Sequence, residues 1–393
     1  MDIWFFTLSE PTQIENKNTK LRRHGQLMHY LNKHGHRITW WCENFDHFTK
    51  KIRTKNTKKI QIKKNFYIYC VKSLPYKKNI SLKRYLNNFI IGHQMSKFFL
   101  KEKVPDLIVI SMPPIDGAVA LMKFAKKNNI KVVLDIRDMW PDIIKWYLNY
   151  LYFFSIWPLY YLMKNNLEYL ISNSDKIIAT SKGMLKWAKT KGNVKKGKFI
   201  YISHNIPKIK YKRKLNKNKI YLAHVGVIGS SNYSKEFLEY FLKLPANIKN
   251  KFDITFAGYG DLYHELKINI KENNIHFVGW KNKKEIEAIY RKSNFGMVLY
   301  KNRQDFKNNI VNKVSEYLGY SLPILTSLEG ESERIISQKD TYLKLNFKSF
   351  NLFKKSFLKI FETKNYNEMS NNSRKIFEKY FNSQKVMKKF KSE

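Results

Sequence analysis

Apolar bursts of strand length recur along the chain, spaced so that a helix fits between most neighbours. They are DIWFFTL (2–8), HRITWWC (36–42), FYIYCV (66–71), DLIVIS (106–111), KVVLDI (131–136) and KIIAT (176–180). Helical spacing appears between several of them, as in 18–33, where Leu21, Met28 and Leu31 share a face, and in 115–127. Strands separated by helices of this size predict parallel βαβ units. The stretch NIPKIKYKRKLNKNK (205–219) breaks the rhythm with Pro207, dense charge and no apolar period. Alternation then resumes with IYLAHVG (220–226), DITFAG (253–258), IHFVG (275–279), FGMVLY (295–300) and LPILT (322–326). The pattern predicts an α/β protein built as two Rossmann-like, doubly wound parallel-sheet domains. The expected boundaries are residues 1–205, a basic linker 206–218, a second domain 219–364, and terminal helices 365–393 that can return to the first domain.

Composition adds a partner class. The 393 residues are 43% hydrophobic and 15% aromatic, which fits folded domains and argues against disorder. With 74 Lys+Arg against 31 Asp+Glu, the net charge is +43, and such a surface favours polyanions. A joint richness in Lys, Asn, Ile and Tyr is a composition bias that accounts for part of this charge. Cys42 and Cys70 lie in apolar strands and read as buried thiols of a reducing compartment. MDIWFFTLSE lacks the basic leader of a signal peptide, and no apolar run nears the length of a spanning helix. The expectation is a cytoplasmic protein, held peripherally at the inner face of the membrane.

In open parallel sheets, ligands bind beyond the carboxyl ends of the strands. Two such sheets facing a central cleft would gather their strand ends there, so the chemistry is sought after each strand. HVGVIGSSNYSKEF (224–237) places Gly226 and Gly229 in a small-residue turn before a helix carrying Lys235, an arrangement that can take a phosphate. FAGYGDL (256–262) and IHFVGWKN (275–282) repeat the edge with Gly258, Gly279 and Trp280. Each alone is ordinary turn chemistry; three on one sheet edge favour a nucleotide platform. FGMVLYKNRQDFKNNIVNKVSEYLGYSLPI supplies Arg303, Asn308, Lys313 and Glu316. Lys313 and Glu316 are i and i+3, so they share a helix face. Read as structure they are a surface ion pair. Read as function, the carboxylate accepts both hydroxyls of a ribose while the lysine meets a phosphate.

In the first half, KVVLDIRDMWPD (131–142) puts Asp135, Arg137, Asp138 and Asp142 at the end of an apolar strand, where charges must pair or face a cavity. MPPIDGA (112–118) should border the same cavity. No D-x-D, H-E-x-x-H, C-x-x-C or P-loop lysine motif is present, so neither a metal nor a cofactor is expected.

These stretches resemble the family 4 glycosyltransferases of GT-B fold, and within them the bacterial surface-polysaccharide branch of O-antigen or capsule type. The resemblance rests on LMHYLNKHGHRITWWC, KVVLDIRDMWPD, SDKIIATSKGM and NKVSEYLGYSLPI, with FAGYGDL and IHFVGW, and spans nearly the whole chain. It implies a hexosyltransferase that moves a sugar with retention from a nucleoside diphosphate to an acceptor, without a metal. Glu316 matches the carboxylate that holds the donor ribose. Asn308 stands where members often have a second acid, Val227 where many have an arginine, and Arg137 where many have a histidine. Diphosphate charge then falls to Lys235, Arg303 or Lys313, and Asp138 to orienting or deprotonating the acceptor.

Two stretches bear on the acceptor. TKKIRTKNTKKIQIKK (49–64) carries eight Lys/Arg, and IIKWYLNYLYFFSIWPLYYLM (143–163) is aromatic and broken by Pro158. Together they suit attachment to an anionic inner leaflet and a lipid-linked glycan acceptor; the aromatic run could equally be a buried helix pair. Two alternatives remain at this point, an epimerase of the same fold and a basic nucleic-acid-binding protein, although no specific nucleic-acid motif is present.

Overall fold

The computed structural model describes residues 1–14, 19, 21–47, 49–76, 81–209 and 213–391. Parts of the expected linker (210–212), of the segment 18–33 (18 and 20) and of the terminal stretch (392–393) lie outside them. Among the described residues fourteen strands form two sheets. The chain divides into two compact units, Met1–Tyr201 together with Met387 onward, and Ile202–Val386.

In the first unit the strands are β1 (Asp2–Phe6), β2 (Arg37–Glu43), β3 (Lys58–Lys63), β4 (Phe66–Val71), β5 (Leu107–Met112), β6 (Lys131–Ile136), β7 (Lys176–Ala179) and β8 (Gly197–Phe199). Their order across the sheet is β3-β4-β2-β1-β5-β6-β7-β8. All neighbours are parallel except the β3–β4 pair. The near-continuous apolar runs of β1, β2, β5 and β6 follow from burial on both faces. Trp4 stacks on Phe124 and Trp41 on Tyr69, with ring centroids 5.5 and 4.3 Å apart, which joins sheet and helices in one core.

Residues 58–63 of the basic run 49–64 form an antiparallel edge. Lys58, Lys59 and Lys63 lie on β3, where charge blunts pairing with other chains. Several of its cations are already engaged: Lys59 sits 2.6 Å from Glu102, Arg53 is buried 2.6 Å from Asp46, and Lys63 meets His29 at 3.2 Å. The expectation of one solvated basic patch is reduced to that extent.

The second unit is all parallel: β9 (Ile220–Val225), β10 (Phe252–Ala257), β11 (Ile275–Gly279), β12 (Phe295–Val298), β13 (Ile324–Thr326) and β14 (Tyr342–Lys344). The order β11-β10-β9-β12-β13-β14 reverses direction at β9, so the crevice between the ends of β9 and β12 is its switch point. Phe237, Phe241, Phe252, Phe353 and Phe357 fill the space between this sheet and its helices.

The division falls four residues before the expected end of the first domain, for a local reason. His204 bonds Ser315 at 2.9 Å and bridges to Asn382, both in the second unit. Nor are the described residues of 206–218 a free tether. Arg374, on the helix Tyr366–Tyr380, donates to the carbonyls of Ile206 and Pro207. Buried Arg213 donates to the carbonyls of Tyr290 and Tyr320 at 2.7 and 3.0 Å, and to that of Ser293. It thereby satisfies helix-end groups that would otherwise lack partners. Of the expected terminal helices, Tyr366–Tyr380 belongs to the second unit, and only the segment from Met387 onward counts with the first.

Candidate active site

The helix Asn312–Gly319 carries the site of the second unit. Val314, Tyr317 and Leu318 are buried and anchor it. The Tyr317 hydroxyl accepts from the Val225 N–H at 3.0 Å and donates to the Ala223 carbonyl at 3.1 Å. Its ring lies so close to Gly296 that a Cβ there would sit 2.4 Å from it. The helix is thus pinned across β9 and β12, and the residue before the pin, Glu316, is held beside the switch point. Its Oε2 accepts from Lys313 Nζ at 2.7 Å and from the Tyr290 hydroxyl at 3.1 Å. Lys313 Cε comes within 3.7 Å of where a Cβ on Gly226 would stand. Gly226, Lys313, Glu316 and Tyr290 therefore form one cluster.

The strand ends are laced together. The N–H of Gly226 bonds the Ala257 carbonyl at 2.9 Å, and that of Gly258 bonds the Gly279 carbonyl at 2.7 Å. Gly258 has φ +132°, and a Cβ there would meet the Gly226 carbonyl oxygen at 1.9 Å, so no other residue fits. Beyond Gly226 the turn is held by Asn232, which donates to the Val227 carbonyl at 2.7 Å and whose own N–H bonds the Gly229 carbonyl at 3.0 Å. The Ser230 N–H already meets an anion, the Asp261 carboxylate, at 3.2 Å.

The other expected contributors have their own partners. Lys235 pairs with Glu265 at 2.9 Å, both exposed. Arg303 forks onto Asp305 at 2.7 and 3.1 Å and lies over the Phe306 ring. Asn308 ends the short helix Gln304–Asn308, and Trp280 follows Gly279 with most of its ring in solvent. Tyr290 and Tyr317 escaped sequence reasoning. Tyr290 lies 26 residues before Glu316, with no local signal joining them.

His224, at the end of β9, bonds the Val227 carbonyl at 3.0 Å. Burial pushes its pKa down to about 4; the bond to Val227 opposes this, and Lys313 adds to it. An unfolded histidine titrates near 6.5, so between about pH 6.5 and 4 the unfolded chain takes up the proton first. Stability from this group is complete above about 6.5 and drains as pH falls towards 4. Lowering the pH from 7 to 5 is expected to cost about 2 kcal/mol through His224. Urea midpoints of wild type and His224→Asn at both pH values measure it, and an unchanged pH dependence in the variant would refute the assignment.

In the first unit the charges after β6 separate into two groups. Asp135 is fully buried: Arg23 approaches its Oδ1 to 2.8 Å, and His24 Nε2 lies 2.6 Å from Oδ2, at ion-pair distance but off the hydrogen-bond direction. Arg23 also donates to the Ile200 carbonyl. Burial alone would raise the Asp135 pKa, but Arg23, His24 and Arg137 together hold it down at about 2. Asp142 accepts from Tyr160 at 2.7 Å and Trp187 at 2.9 Å and pairs with Lys191 at 2.6 Å. These two acids are structural.

Arg137 and Asp138 instead line a cavity of about 230 Å³, together with Arg22, Arg84, His47 and Ser9. Pro113 and Pro114, from the expected bordering segment, form part of its wall. Arg137 lies 2.9 Å from Glu10, and Asp138 Oδ1 accepts from the Met139 N–H at 2.8 Å. Among the described residues no group of three His, Cys, Asp or Glu could hold a metal ion.

Residues 25–206 match the family model of Glycosyltransferase Family 4. A comparison with curated proteins found no match. Among solved structures, sucrose-phosphate synthase from Thermosynechococcus elongatus superposes with a TM-score of 0.76 at 11% identity, over 100% of this chain and 97% of that one. Anabaena HepE in complex with UDP gives 0.66 at 11% identity, over 100% and 98%. WaaG, a glycosyltransferase involved in lipopolysaccharide biosynthesis, gives 0.66 at 11% identity, over 98% and 98%. These neighbours and the two parallel-sheet α/β units give the chain the GT-B architecture. With the family match across the N-terminal half, they make it a glycosyltransferase.

Proposed function

We propose that the protein transfers a hexosyl group, with retention, from a nucleoside-diphosphate sugar to a lipid-linked glycan at the inner face of the membrane, in surface-polysaccharide synthesis. The observation that carries the donor assignment is the Gly226–Lys313–Glu316–Tyr290 cluster at the switch point of the second sheet. A lysine in the first turn of a helix is disfavoured by the helix dipole unless an anion is nearby. Lys313 holds that position, and the first turn has no acidic residue. Glu316, 2.7 Å from Lys313, offsets that penalty here; with the donor bound it would accept the ribose hydroxyls and the diphosphate would become the partner of Lys313. Solved neighbours in this fold hold UDP, UDP with glucose, and UDP-glucose, which supports a nucleotide-sugar donor here.

In the reaction the bond from the anomeric carbon to the diphosphate oxygen breaks and the nucleoside diphosphate leaves with the electron pair. Lys313 and the helix N-terminus stabilise its charge. The acceptor oxygen bonds the same face of the sugar, and its proton passes to the departing diphosphate. No metal or other cofactor is part of this proposal.

For the acceptor, the support is an exposed aromatic surface. Tyr150, Leu151, Tyr152 and Phe154 are 60–79% exposed, and the helix Tyr150–Ser155 buries none of its residues. The following helix, Trp157–Asn173, buries Tyr160, Met163 and Leu167 while Trp157, Tyr161 and Leu162 face solvent. An aromatic face of this kind suits the lipid interface. No described helix is long and apolar enough to cross a membrane.

The test combines labelled UDP-, GDP- and dTDP-sugars with a lipid-linked acceptor on anionic vesicles. Label should enter the lipid fraction with the donor's anomeric configuration, and Leu151→Ser/Tyr152→Ser/Phe154→Ser should lower vesicle binding several-fold. An inverted product would refute retention, and vesicle binding unaffected by the triple substitution would refute the interface.

A further inference from the structure

We propose that His224 and Asn232 are positioning residues for the donor: together they occupy the Val227 carbonyl, so that the backbone edge of residues 227–229 offers only N–H groups to a diphosphate. The inference rests on the donor reading above and deepens it, since it names how an uncharged turn holds a charged ligand.

The turn after β9 has no cation of its own, because residues 226–232 read GVIGSSN. Of the basic residues expected around it, Lys235 pairs with Glu265 and Arg303 with Asp305. Lys313 comes near its start, with Cε 3.7 Å from the Cβ position of Gly226. An uncharged turn binds an anion through successive backbone N–H groups. It does so only where the carbonyls between them are turned away or already occupied.

Bonds alternate along this turn as along the edge of a strand. The Gly226 carbonyl oxygen points at the end of β10, 1.9 Å from where a Cβ on Gly258 would stand. The Ile228 N–H bonds the Tyr259 carbonyl at 3.2 Å, and the Ile228 carbonyl accepts from the Leu262 N–H at 3.2 Å. In a trans peptide the N–H lies opposite the C=O. The N–H and C=O of Val227 and the N–H of Gly229 therefore point away from the β10 loop, and β12 flanks β9 on that side. Neither of these two N–H groups has a bonding partner among the described residues, although Gly229 is buried. A buried backbone N–H is rarely left unpaired. The Asp261 carboxylate meets the next N–H, that of Ser230, on the β10 side.

One acceptor lies between the two N–H groups, the Val227 carbonyl, and it takes two donors. Asn232 Nδ2 approaches it to 2.7 Å and His224 Nε2 to 3.0 Å, which uses both lone pairs. The Gly229 carbonyl that follows accepts from the Asn232 N–H at 3.0 Å. His224 donates without adding charge: burial above all holds its pKa at about 4, so near pH 7 the ring carries one proton. A carbonyl can only accept, which places that proton on Nε2. Asn232 is wholly buried, and its Oδ1 accepts from the Ser234 N–H at 3.1 Å, which fixes the direction of the amide. Loss of either donor would leave carbonyl charge turned towards the diphosphate oxygens, and like charges repel.

Calorimetry on the full chain tests this, with whichever of UDP, GDP and dTDP binds wild type most tightly and with the matching nucleoside, which lacks phosphate. His224→Leu and Asn232→Ser should each bind the diphosphate at least fivefold more weakly, while nucleoside affinity stays within twofold. His224→Gln, whose amide can again donate to the Val227 carbonyl, should recover most of the loss. Asn232→Ser keeps a hydroxyl for the Ser234 N–H, so it carries the test should His224→Leu fail to fold. Unchanged diphosphate affinity in the variants, an equal loss for the nucleoside, or no recovery in His224→Gln overturns the positioning role. No binding of any of the three nucleotides to wild type overturns the donor reading and this inference with it. A diphosphate-specific loss in a chain that transfers no sugar would uphold the positioning role and refute the transfer.

Discussion

Replacing Asp135 with Asn is expected to destabilise the N-terminal unit by about 3–5 kcal/mol, the usual cost of stranding a buried charge by removing its partner. Arg23, fully enclosed and 2.8 Å from Asp135, would lose its nearest counter-charge. His24 and Arg137, which also act on that carboxylate, would face one positive neighbour with less compensation. For a unit of this size the loss corresponds to roughly 6–20 °C in midpoint. Scanning calorimetry of the full chain would show it as an early transition of one unit. Arg23→Met/Asp135→Leu, which removes both charges, should recover much of it. A variant melting with wild type would mean that the pair contributes little. The same group has a pH signature. Its pKa is depressed on folding to about 2, so its contribution is complete above about pH 4 and is lost as the pH falls towards 2.

The second large effect concerns the donor. Glu316→Gln should weaken UDP binding and turnover at least tenfold while the protein stays folded. The amide keeps the volume and can still meet the Tyr290 hydroxyl, but it loses the ion pair with Lys313 and the charged acceptor for ribose. A hydrogen bond to a charged group is worth about 1.5–3 kcal/mol. UDP titration and steady-state rates give the two readings. Normal UDP affinity with normal turnover would reduce Lys313–Glu316 to a surface pair.

What could be read in advance tracks what is local. The runs 66–71 and 131–136 coincide with β4 and β6, because strands covered on both faces are apolar nearly throughout, and 275–279 coincides with the half-buried edge β11, whose apolar residues and closing Gly279 still mark it. The three strands that escaped notice are edges. β3 reads KKIQIK, its isoleucines only half-buried, and so looked like a basic excursion; β8 and β14 have three residues each, none of them buried. The site divides likewise. Lys313 and Glu316 are one turn apart and announce each other. Arg23 and Asp135 are 112 residues apart, and only the β1–β5–β6 order of the sheet brings their segments together. Nothing near Asp135 distinguished it from Asp138, yet one is sealed in the core and the other lines a cavity. Arg22 and Arg84 were hidden for the same reason, since a cavity wall assembled from a helix cap, a helix first turn and a strand end has no spacing to detect.

The helix Ser383–Lys391 has a consequence for biosynthesis. Its residues from Met387 onward belong to the unit begun at Met1, and the Phe390 ring lies 4.7 Å from the Arg23 guanidinium. A ribosome delivers the N-terminal unit first, and such units generally begin folding as they emerge. Here the whole second unit must be synthesised before the aromatic cover over Arg23 exists. Until then the buried Arg23–Asp135 pair is closed on one side by whatever reaches it, water or a chaperone. A nascent chain stalled before residue 387 should therefore present this unit in a more protease-sensitive form than the finished protein does.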